Sequence, residues 1–325
     1  MSRQTSICVL GAGAVGSVLG AAFADKGHSV TFVDHGSRLA ELRRNGLRVV
    51  GLDGQVTIAR NGNFVESEGL RGHFDIVLLA VKAHQISALA PTLSRLLEPG
   101  TSLLTLQNGI PWWYFQGCEG VYSGTTLRSL DPDGALAAAV RPEHIIGTVV
   151  YPAAEVLDDG TVRHIEGDRF VLGGISGDTV DRVEKLAALI SEVGFRGQVQ
   201  PDIRAEIWLK SWGSLAFNTV SALTRSTMAG ICRDPETKSL ARDLMLETEA
   251  VANAVGIQMR VPLERRLAGA EAVGEHKTSM LQDYEAGRRL ETGALLTAVQ
   301  ELGGLVGQQT PALDQVLALL ALKVR

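Results

Sequence analysis

A glycine-rich turn near the N-terminus is the feature that most constrains the fold. The run "SICVL" (residues 6–10) reads as a buried strand, and "GAGAVG" follows it directly, which gives Gly11, Gly13 and Gly16 a GxGxxG spacing. A helical stretch, "SVLGAAFADKG", and a second strand-like run, "SVTFVD", come next. Strand, glycine turn, helix and strand within about 30 residues predict a βαβ unit that binds a dinucleotide.

Each glycine in this turn has its own physical role. Gly11 permits the tight turn, Gly13 lets the backbone approach a pyrophosphate, and Gly16 lets the helix pack closely on the strand. The helix start then offers free N–H groups and partial positive charge to the phosphates. Ala14 and Val15 lie inside the turn and are predicted to bind the same cofactor. The alternative interpretation is a glycine turn that serves packing alone.

The end of the second strand bears on the choice of cofactor. Asp34 sits where a carboxylate would accept hydrogen bonds from the adenosine ribose hydroxyls. The same carboxylate would repel a 2′-phosphate. His35 and Arg38 follow at once and could supply positive charge. The sequence therefore leaves both NADP and NAD open.

Two polar residues are predicted at the ends of further parallel strands. The run "FDIVLLAVKA" (74–83) is predicted as a strand ending at Lys82, and "TSLLTLQNG" (101–109) as one ending at Asn108. Ligands gather at the carboxyl ends of strands in open parallel sheets, so both residues are candidates for the site. The alternatives are a surface lysine and an ordinary Asn-Gly turn.

The pattern changes from mixed to helical near Pro201. Before it, "HIIGTVVY", "GTVRHI" and "RFVLGG" predict that the sheet continues to about residue 175, and "DTVDRVEKLAALISEVG" predicts a helix. After it, the pattern is almost wholly helical. We expect an α/β dinucleotide-binding domain over 1–200 and a helical substrate or dimerisation domain over 201–325.

The first helix of the second half carries an unusual polar stripe. Lys210, Ser214 and Asn218 are spaced i, i+4 and i+8, and residues 211–224 contain no ionisable side chain. A solvated helix face would normally show several charges. The stripe therefore predicts the wall of a site for a polar ligand. The alternative is a helix–helix interface with one lysine that extends to solvent.

Composition excludes several classes of function. A formal net charge of -5 argues against nucleic acid as a partner, and no apolar run reaches the roughly 20 residues of a membrane span. Cys8, Cys118 and Cys232 are far apart and show neither metal-ligand spacing nor a disulfide framework. No secretory signal opens the sequence. We therefore expect a cytoplasmic protein without a metal site.

Taken together, the motifs resemble those of the ketopantoate reductases (2-dehydropantoate 2-reductases). The resemblance covers nearly the whole chain and rests on "GAGAVG" (11–16), "VKAHQ" (81–85), "LQNG" (106–109), "IRAEIWLK" (203–210), "NTVSAL" (218–223), "TSMLQD" (278–283) and "ETG" (291–293). It implies a Rossmann-type doubly wound sheet with a C-terminal all-helical domain. It also implies NADPH-dependent reduction of a 2-keto acid, 2-dehydropantoate to pantoate, in pantothenate biosynthesis.

The resemblance also implies roles for individual residues. Lys210 matches the family's catalytic acid, and Glu291 matches the glutamate that helps to orient the substrate hydroxyl. Hydride attack on a ketone builds negative charge on oxygen, which a protonated lysine can stabilise and then protonate. The other matches, for substrate or cofactor, are Lys82, Asn108, Asn218, Ser279 and, with a changed side chain, Ser214.

The chain departs from the family pattern at three places. Ser214 stands where the family has an asparagine, and Asp34-His35 stands where it commonly has an arginine for the 2′-phosphate. After "QNG" a long segment begins with the aromatic run Trp112–Phe115. That run predicts either buried packing or the wall of a pocket for a bulkier keto acid.

Alternative functions follow from these departures. One is a paralogous 2-keto acid or 3-hydroxyacid-type dehydrogenase with a different, bulkier substrate. Another is a non-catalytic nucleotide-binding protein, against which the presence of both Lys210 and Glu291 argues. The apolar C-terminal helix also permits a homodimer.

Overall fold

The first βαβ unit forms at the glycine turn, as its spacing predicts. Strand β1 (Ser6–Leu10) leads into helix α1 (Ala14–Asp25), and strand β2 (Ser29–Val33) returns parallel to β1. These elements come from a computed structural model that describes residues 4–59 and 62–323.

The other elements follow in chain order. The strands are β3 (Leu47–Val50), β4 (Val56–Ala59), β5 (Asn63–Val65), β6 (Ile76–Leu79), β7 (Ser102–Thr105), β8 (Ile145–Val150), β9 (Ala153–Val156), β10 (Val162–Glu166), β11 (Arg169–Gly174) and β12 (Arg196–Val199). The helices are α2 (Gly36–Asn45), α3 (Ala90–Leu96), α4 (Ala135–Ala139), α5 (Val180–Glu192), α6 (Ile203–Thr224), α7 (Met228–Arg233), α8 (Pro235–Ala254), α9 (Leu263–Ala272), α10 (Ser279–Glu285), α11 (Ala298–Val306) and α12 (Pro311–Lys323). A π-helical turn, Gly293–Thr297, leads directly into α11.

The main sheet confirms the predicted α/β class. Its strands lie in the order β12-β11-β8-β7-β6-β1-β2-β5, and only the β8–β11 pair among them is antiparallel in the described residues. Strand β1 pairs with β2 on one side and with β6 on the other. The strand order thus reverses at β1, and the glycine turn leaves the sheet at this switch point, where open α/β sheets bind ligands.

A second, smaller sheet corrects one prediction. Its order is β4-β3-β10-β9, and it contains "GTVRHI", which we expected in the main sheet. Strand β10 alternates, with Val162 buried and Arg163 exposed, whereas β8 is buried along its whole length. Alternating burial is typical of a strand with one covered face. The residues themselves do not show this alternation, because the polar His164 is buried and the apolar Ile165 is exposed.

Helix α1 lies between the two sheets. It contacts β1 and β2 on one side and the strands of the smaller sheet on the other. This position explains why the helix is apolar around most of its circumference, with Val18, Leu19, Ala21 and Phe23 all buried. The helix that carries the glycine turn is therefore held on two faces.

The region beyond residue 202 is helical, as predicted. The longest helix, α6, is fixed to α8 by the Trp212 indole, which donates to the Met245 carbonyl over 2.7 Å. The Glu247 carboxylate of α8 accepts hydrogen bonds from the N–H groups of Ala312 and Leu313 at the start of α12. A carboxylate at a helix N-terminus satisfies otherwise free donors.

The chain divides into two compact units by its internal contacts. One contains the chain up to Gln107, Phe115–Thr126 and Gly134–Ile203, and the other contains Asn108–Tyr114, Leu127–Asp133 and the chain from Arg204 onward. Two short segments of the N-terminal half thus group with the helices. The domain boundary near Pro201 stays a prediction.

Two further expectations concern surfaces. In the described part of the chain, no helix combines the length and the apolarity needed to cross a bilayer. Leu319 and Leu322 on α12 are exposed, and the prediction that this helix permits a homodimer stays a prediction.

Candidate active site

The glycine turn has the geometry that its three glycines require. Gly11 has a φ of +101°, and a Cβ there would lie 2.9 Å from the Val81 nitrogen. A Cβ on Gly16 would lie 2.4 Å from the Gly11 carbonyl oxygen. Gly13 is the N-cap residue of α1, and a Cβ there would meet no atom within 4 Å. The open side of Gly13 is the approach that a pyrophosphate needs.

Asp34 is joined to this turn by a hydrogen bond. Its Oδ2 accepts from the Ala12 N–H over 3.0 Å, and its Oδ1 accepts from the His35 N–H over 2.8 Å. The His35 side chain itself is exposed. The carboxylate is therefore fixed beside the turn, at the end of β2, where ribose hydroxyls are bound in proteins of this architecture.

Arg38 is held by groups of the protein. Its Nε donates to the Ala12 carbonyl over 3.2 Å, and one of its terminal nitrogens donates to the Gly160 carbonyl over 2.8 Å. The same nitrogen lies 3.1 Å from the Glu41 carboxylate. The guanidinium thus ties the glycine turn to the 157–160 turn, and Glu41 balances its charge.

Lys82 lies three residues beyond the end of β6, not in the strand as we expected. It is the N-cap residue of a short 3₁₀ turn, Ala83–Gln85, and its N–H donates to the Gln85 side chain. Gln107, to which the sequence assigned no role, donates to the carbonyls of Leu79 and Val81. It thereby fixes the segment that packs against Gly11.

The polar stripe of α6 is the accessible face of a helix that is otherwise buried. Between Ala205 and Ala222 the residues that are not buried are Leu209, Lys210, Ser214 and Asn218. Trp208, Trp212 and Leu215, on the other faces, are 0% exposed. The helix is thus packed on most sides and accessible only along this stripe, in which Lys210 is the one charged side chain.

Lys210 is the centre of a small cluster. Its Nζ donates to Asn108 Oδ1 over 2.7 Å. Asn108, like Lys82, lies three residues past its strand, since β7 ends at Thr105. Burial lowers the pKa of Lys210 to about 8, and the negative charge of Glu291 opposes that shift. The amine is therefore mostly protonated at pH 7 but close to its titration point, as suits a general acid.

Glu291 stands just before the helix that continues through the π-helical turn into α11. It is partly exposed and acts on Lys210 through its charge. Residues from three distant parts of the chain therefore form one group: Asn108, Lys210 and Glu291. The catalytic roles assigned to Lys210 and Glu291 stay predictions.

Ser279 is not joined to this group by any hydrogen bond among the described residues. It is exposed as the first residue of α10, whose N-cap is formed by Thr278, the acceptor of a bond from the Leu281 N–H. Ser214 and Asn218 lie one and two helical turns after Lys210 on the open line of α6. The roles assigned to these three residues stay predictions.

The aromatic run after "QNG" packs in the interior. Trp112, Trp113, Tyr114 and Phe115 are each at most 5% exposed. The Tyr114 hydroxyl accepts a 2.7 Å hydrogen bond from the Trp208 indole on α6. Of the two interpretations offered for this run, buried packing is the one that the side chains show.

Comparison with known proteins agrees with this geometry. Residues 7–177 match the model "Ketopantoate reductase PanE/ApbA" and residues 202–324 match "Ketopantoate reductase PanE/ApbA C terminal". A 2-dehydropantoate 2-reductase of Mesorhizobium japonicum is 46% identical over 314 residues, which cover 96% of each protein. One from Archaeoglobus fulgidus is 28% identical and covers 93% of each.

A solved structure gives the same assignment. The 2-dehydropantoate 2-reductase of Geobacter metallireducens GS-15 superposes with a TM-score of 0.82 at 29% identity, over 97% of this chain and 98% of that one. The sequence motifs, the fold and the Lys210 cluster therefore lead to one conclusion: the chain belongs to the ketopantoate reductase family.

Proposed function

We propose that this protein reduces a 2-keto acid to a 2-hydroxy acid with a reduced nicotinamide dinucleotide, and that 2-dehydropantoate, which becomes pantoate, is its substrate. The observation that carries the proposal is the Lys210 ammonium. It donates a hydrogen bond to Asn108, and its pKa is about 8 under the influence of the Glu291 charge. The relative with 46% identity is a 2-dehydropantoate 2-reductase, which supports this substrate.

The residues of the turn fit a dinucleotide. Gly13 leaves open space at the start of α1, and the carboxylate of Asp34 lies beside it. Gly11, Gly13, Ala14, Val15 and Gly16 would hold the pyrophosphate through backbone groups. When bound, the nicotinamide supplies the hydride for the keto carbon.

Lys210 supplies the proton. As the keto carbon accepts hydride, negative charge grows on its oxygen, and the ammonium stabilises that charge before it donates a proton there. One keto acid, one hydride and one proton give one hydroxy acid. Asn108 holds the ammonium in place, and Glu291 keeps it charged by raising its pKa against the effect of burial.

The remaining polar residues are assigned to the substrate and the cofactor. Ser214 and Asn218 share the open stripe of α6 with Lys210, and we propose that they bind the substrate's polar groups. Ser279 is proposed to bind its carboxylate. Lys82, at the end of the segment that packs on Gly11, is proposed to bind the cofactor.

For the cofactor we propose that NADH is accepted alongside NADPH. A carboxylate has about four acceptor positions, and Asp34 uses two of them for the N–H groups of Ala12 and His35. Two remain, which is the number that the 2′- and 3′-hydroxyls of NADH require. Arg38 is already paired with Glu41, so its charge is poorly placed to offset Asp34 beside a 2′-phosphate.

One observation favours a second candidate substrate. Ser214, one helical turn after Lys210, is smaller than the asparagine of the family pattern and is not buried. The smaller side chain leaves room next to the reacting group. A 2-keto acid with a larger side chain than ketopantoate is therefore the second candidate, with the same chemistry.

A cofactor-oxidation assay tests the proposal. Each of NADPH and NADH is combined with ketopantoate and with a panel of linear, branched and aromatic 2-keto acids, and absorbance loss is followed. We expect turnover with ketopantoate, and we expect Lys210→Ala to lower it by about 10²- to 10⁴-fold. Cofactor binding by fluorescence titration without turnover on any keto acid would instead identify a non-catalytic nucleotide-binding protein.

A further inference from the structure

The two segments that flank Lys210 also touch each other. Asn108, which accepts the Lys210 hydrogen bond, is followed by Gly109 and Ile110, and the Ile110 N–H donates to the Ala294 carbonyl over 2.8 Å. Ala294 comes three residues after Glu291. The loop that carries Asn108 is thus hydrogen-bonded to the helix that follows Glu291.

Gly109 is required at this contact for two independent reasons. Its φ of +86° lies in the region that side chains rarely adopt. A Cβ at this position would also lie 2.4 Å from the Ala294 oxygen and 2.6 Å from its carbonyl carbon. Both are backbone atoms, so no side-chain rotation can relieve the overlap. The loop lies flat on the helix only because residue 109 has no side chain.

The helix at this point has an unusual form. Ala294 lies within the π-helical turn Gly293–Thr297, and Ala294 and Leu295 are buried, with exposures of 1% and 2%. Single π turns within α-helices are rare and occur frequently at functional sites. The surface that receives Gly109 is therefore a buried π-helical turn rather than an ordinary stretch of α-helix.

We infer that Gly109 is a positioning residue, which seats Asn108 on the Ala294 turn and so fixes the spacing of Asn108 and Glu291 around Lys210. The inference rests on the proposed function, because its effect is expressed through the acid group of that reaction. Gly109 acts on the reaction only through its neighbours.

The direction of the effect follows from the contacts. The Asn108 oxygen bonds to the charged form of Lys210, and Glu291 raises the pKa of the amine. If either group moves away, the protonated amine loses a stabilising partner and the effect of burial dominates. The pKa of Lys210 then falls below its value of about 8. Less of the acid is then protonated at neutral pH.

The test compares Gly109→Ala with Gly256→Ala. Gly256 has a φ of +88° and belongs to the same compact unit, but a Cβ there would meet nothing within 4 Å. The control thus carries the backbone strain without the collision. We expect Gly109→Ala to lower kcat by about tenfold or more, because part of the general acid catalysis is lost. We also expect the alkaline decline of kcat to move to lower pH. Gly256→Ala should leave both unchanged.

A second variant approaches the contact from the other side, in case Gly109→Ala does not fold. Ala294→Val enlarges the side chain whose Cβ lies 3.0 Å from the position of a Gly109 Cβ, and Ala298→Val, equally buried in the same helix, is its control. A kcat and pH profile equal to the control in either folded variant would overturn the inference. An inactive wild-type protein would overturn the proposed function instead.

Discussion

The glycine turn and the Lys210 cluster are built in opposite ways. The turn uses neighbours in sequence: Gly11, Gly13 and Gly16 follow one strand, and Asp34 directly follows the next. The cluster joins residues 108, 210 and 291, which no local pattern connects. A site formed within one βαβ unit is visible in its spacing, whereas a site assembled from distant segments becomes visible only through the fold or through a family resemblance.

The two regions also differ in what they contribute. The turn offers backbone N–H groups and a carboxylate held by hydrogen bonds, which are suited to holding a ligand. The cluster offers an amine with a lowered pKa, which is suited to moving a proton. If this division is correct, each region can be damaged separately.

The largest effect is expected from Lys210→Ala. Removal of the acid should lower kcat by about 10²- to 10⁴-fold, while the dissociation constant of the cofactor, measured by fluorescence titration, stays nearly unchanged. Lys185→Ala, at an exposed position of α5, is the control and should alter neither value. Equal losses of turnover and of cofactor affinity would mean that Lys210 is a structural residue.

Gly16→Val should have the opposite effect, weakening cofactor binding while leaving the acid group unchanged. A side chain here would collide with the Gly11 carbonyl and displace the turn. Overpacking of this kind costs about 1–3 kcal/mol, and if the turn loses that much of its fit to the cofactor, the cofactor dissociation constant should rise about 5- to 150-fold.

The pH dependence of kcat in Gly16→Val should match the wild type at saturating cofactor. Gly304→Val, in a helix where a Cβ meets nothing, is the control. An unchanged cofactor dissociation constant in Gly16→Val would show that the glycine turn does not bind the cofactor.

The pH profile of the wild type tests the cluster alone. The protonated amine is the active form, so activity is full below the Lys210 pKa of about 8 and is lost as the pH rises through it. We expect kcat to fall about tenfold between pH 7 and pH 9. Glu291→Gln removes the charge that raises this pKa, so its limb should lie at lower pH. A flat profile up to pH 10 would contradict the assignment of Lys210 as the acid.

The smallest effect is expected at Asp34, within the turn region. Asp34→Ser removes a negative charge beside the expected position of a 2′-phosphate. A charge pair near the protein surface is worth about 1 kcal/mol or more, so the ratio of kcat/KM for NADPH to that for NADH should rise about fivefold. Asp53→Ser, outside the turn, should leave this ratio unchanged. A ratio that falls in Asp34→Ser would show that the carboxylate does not face the ribose.

The sequence predicted the main elements because their signals are local. The βαβ unit follows from spacing and is confirmed. The stripe of α6 also follows from spacing, and its three residues are not buried, but its use as the wall of a ligand site stays a prediction. The smaller sheet was not predicted, because β3 and β10 are far apart in sequence and pair at Val49 and Val162 only through packing over α1. The contact of Gly109 with Ala294 was equally hidden, since an Asn-Gly pair is also an ordinary turn.

The segment Asn108–Tyr114 groups with the helices although it precedes them by about ninety residues in the chain. Tyr114 supplies the acceptor for the buried indole of Trp208, and Arg204 donates to the Tyr114 carbonyl. The helical half therefore depends on this early segment for part of its packing. A truncated fragment or a chimera that starts after Pro201 would leave the indole of Trp208 without its acceptor, and any recombination between relatives must carry this early segment along with the helices.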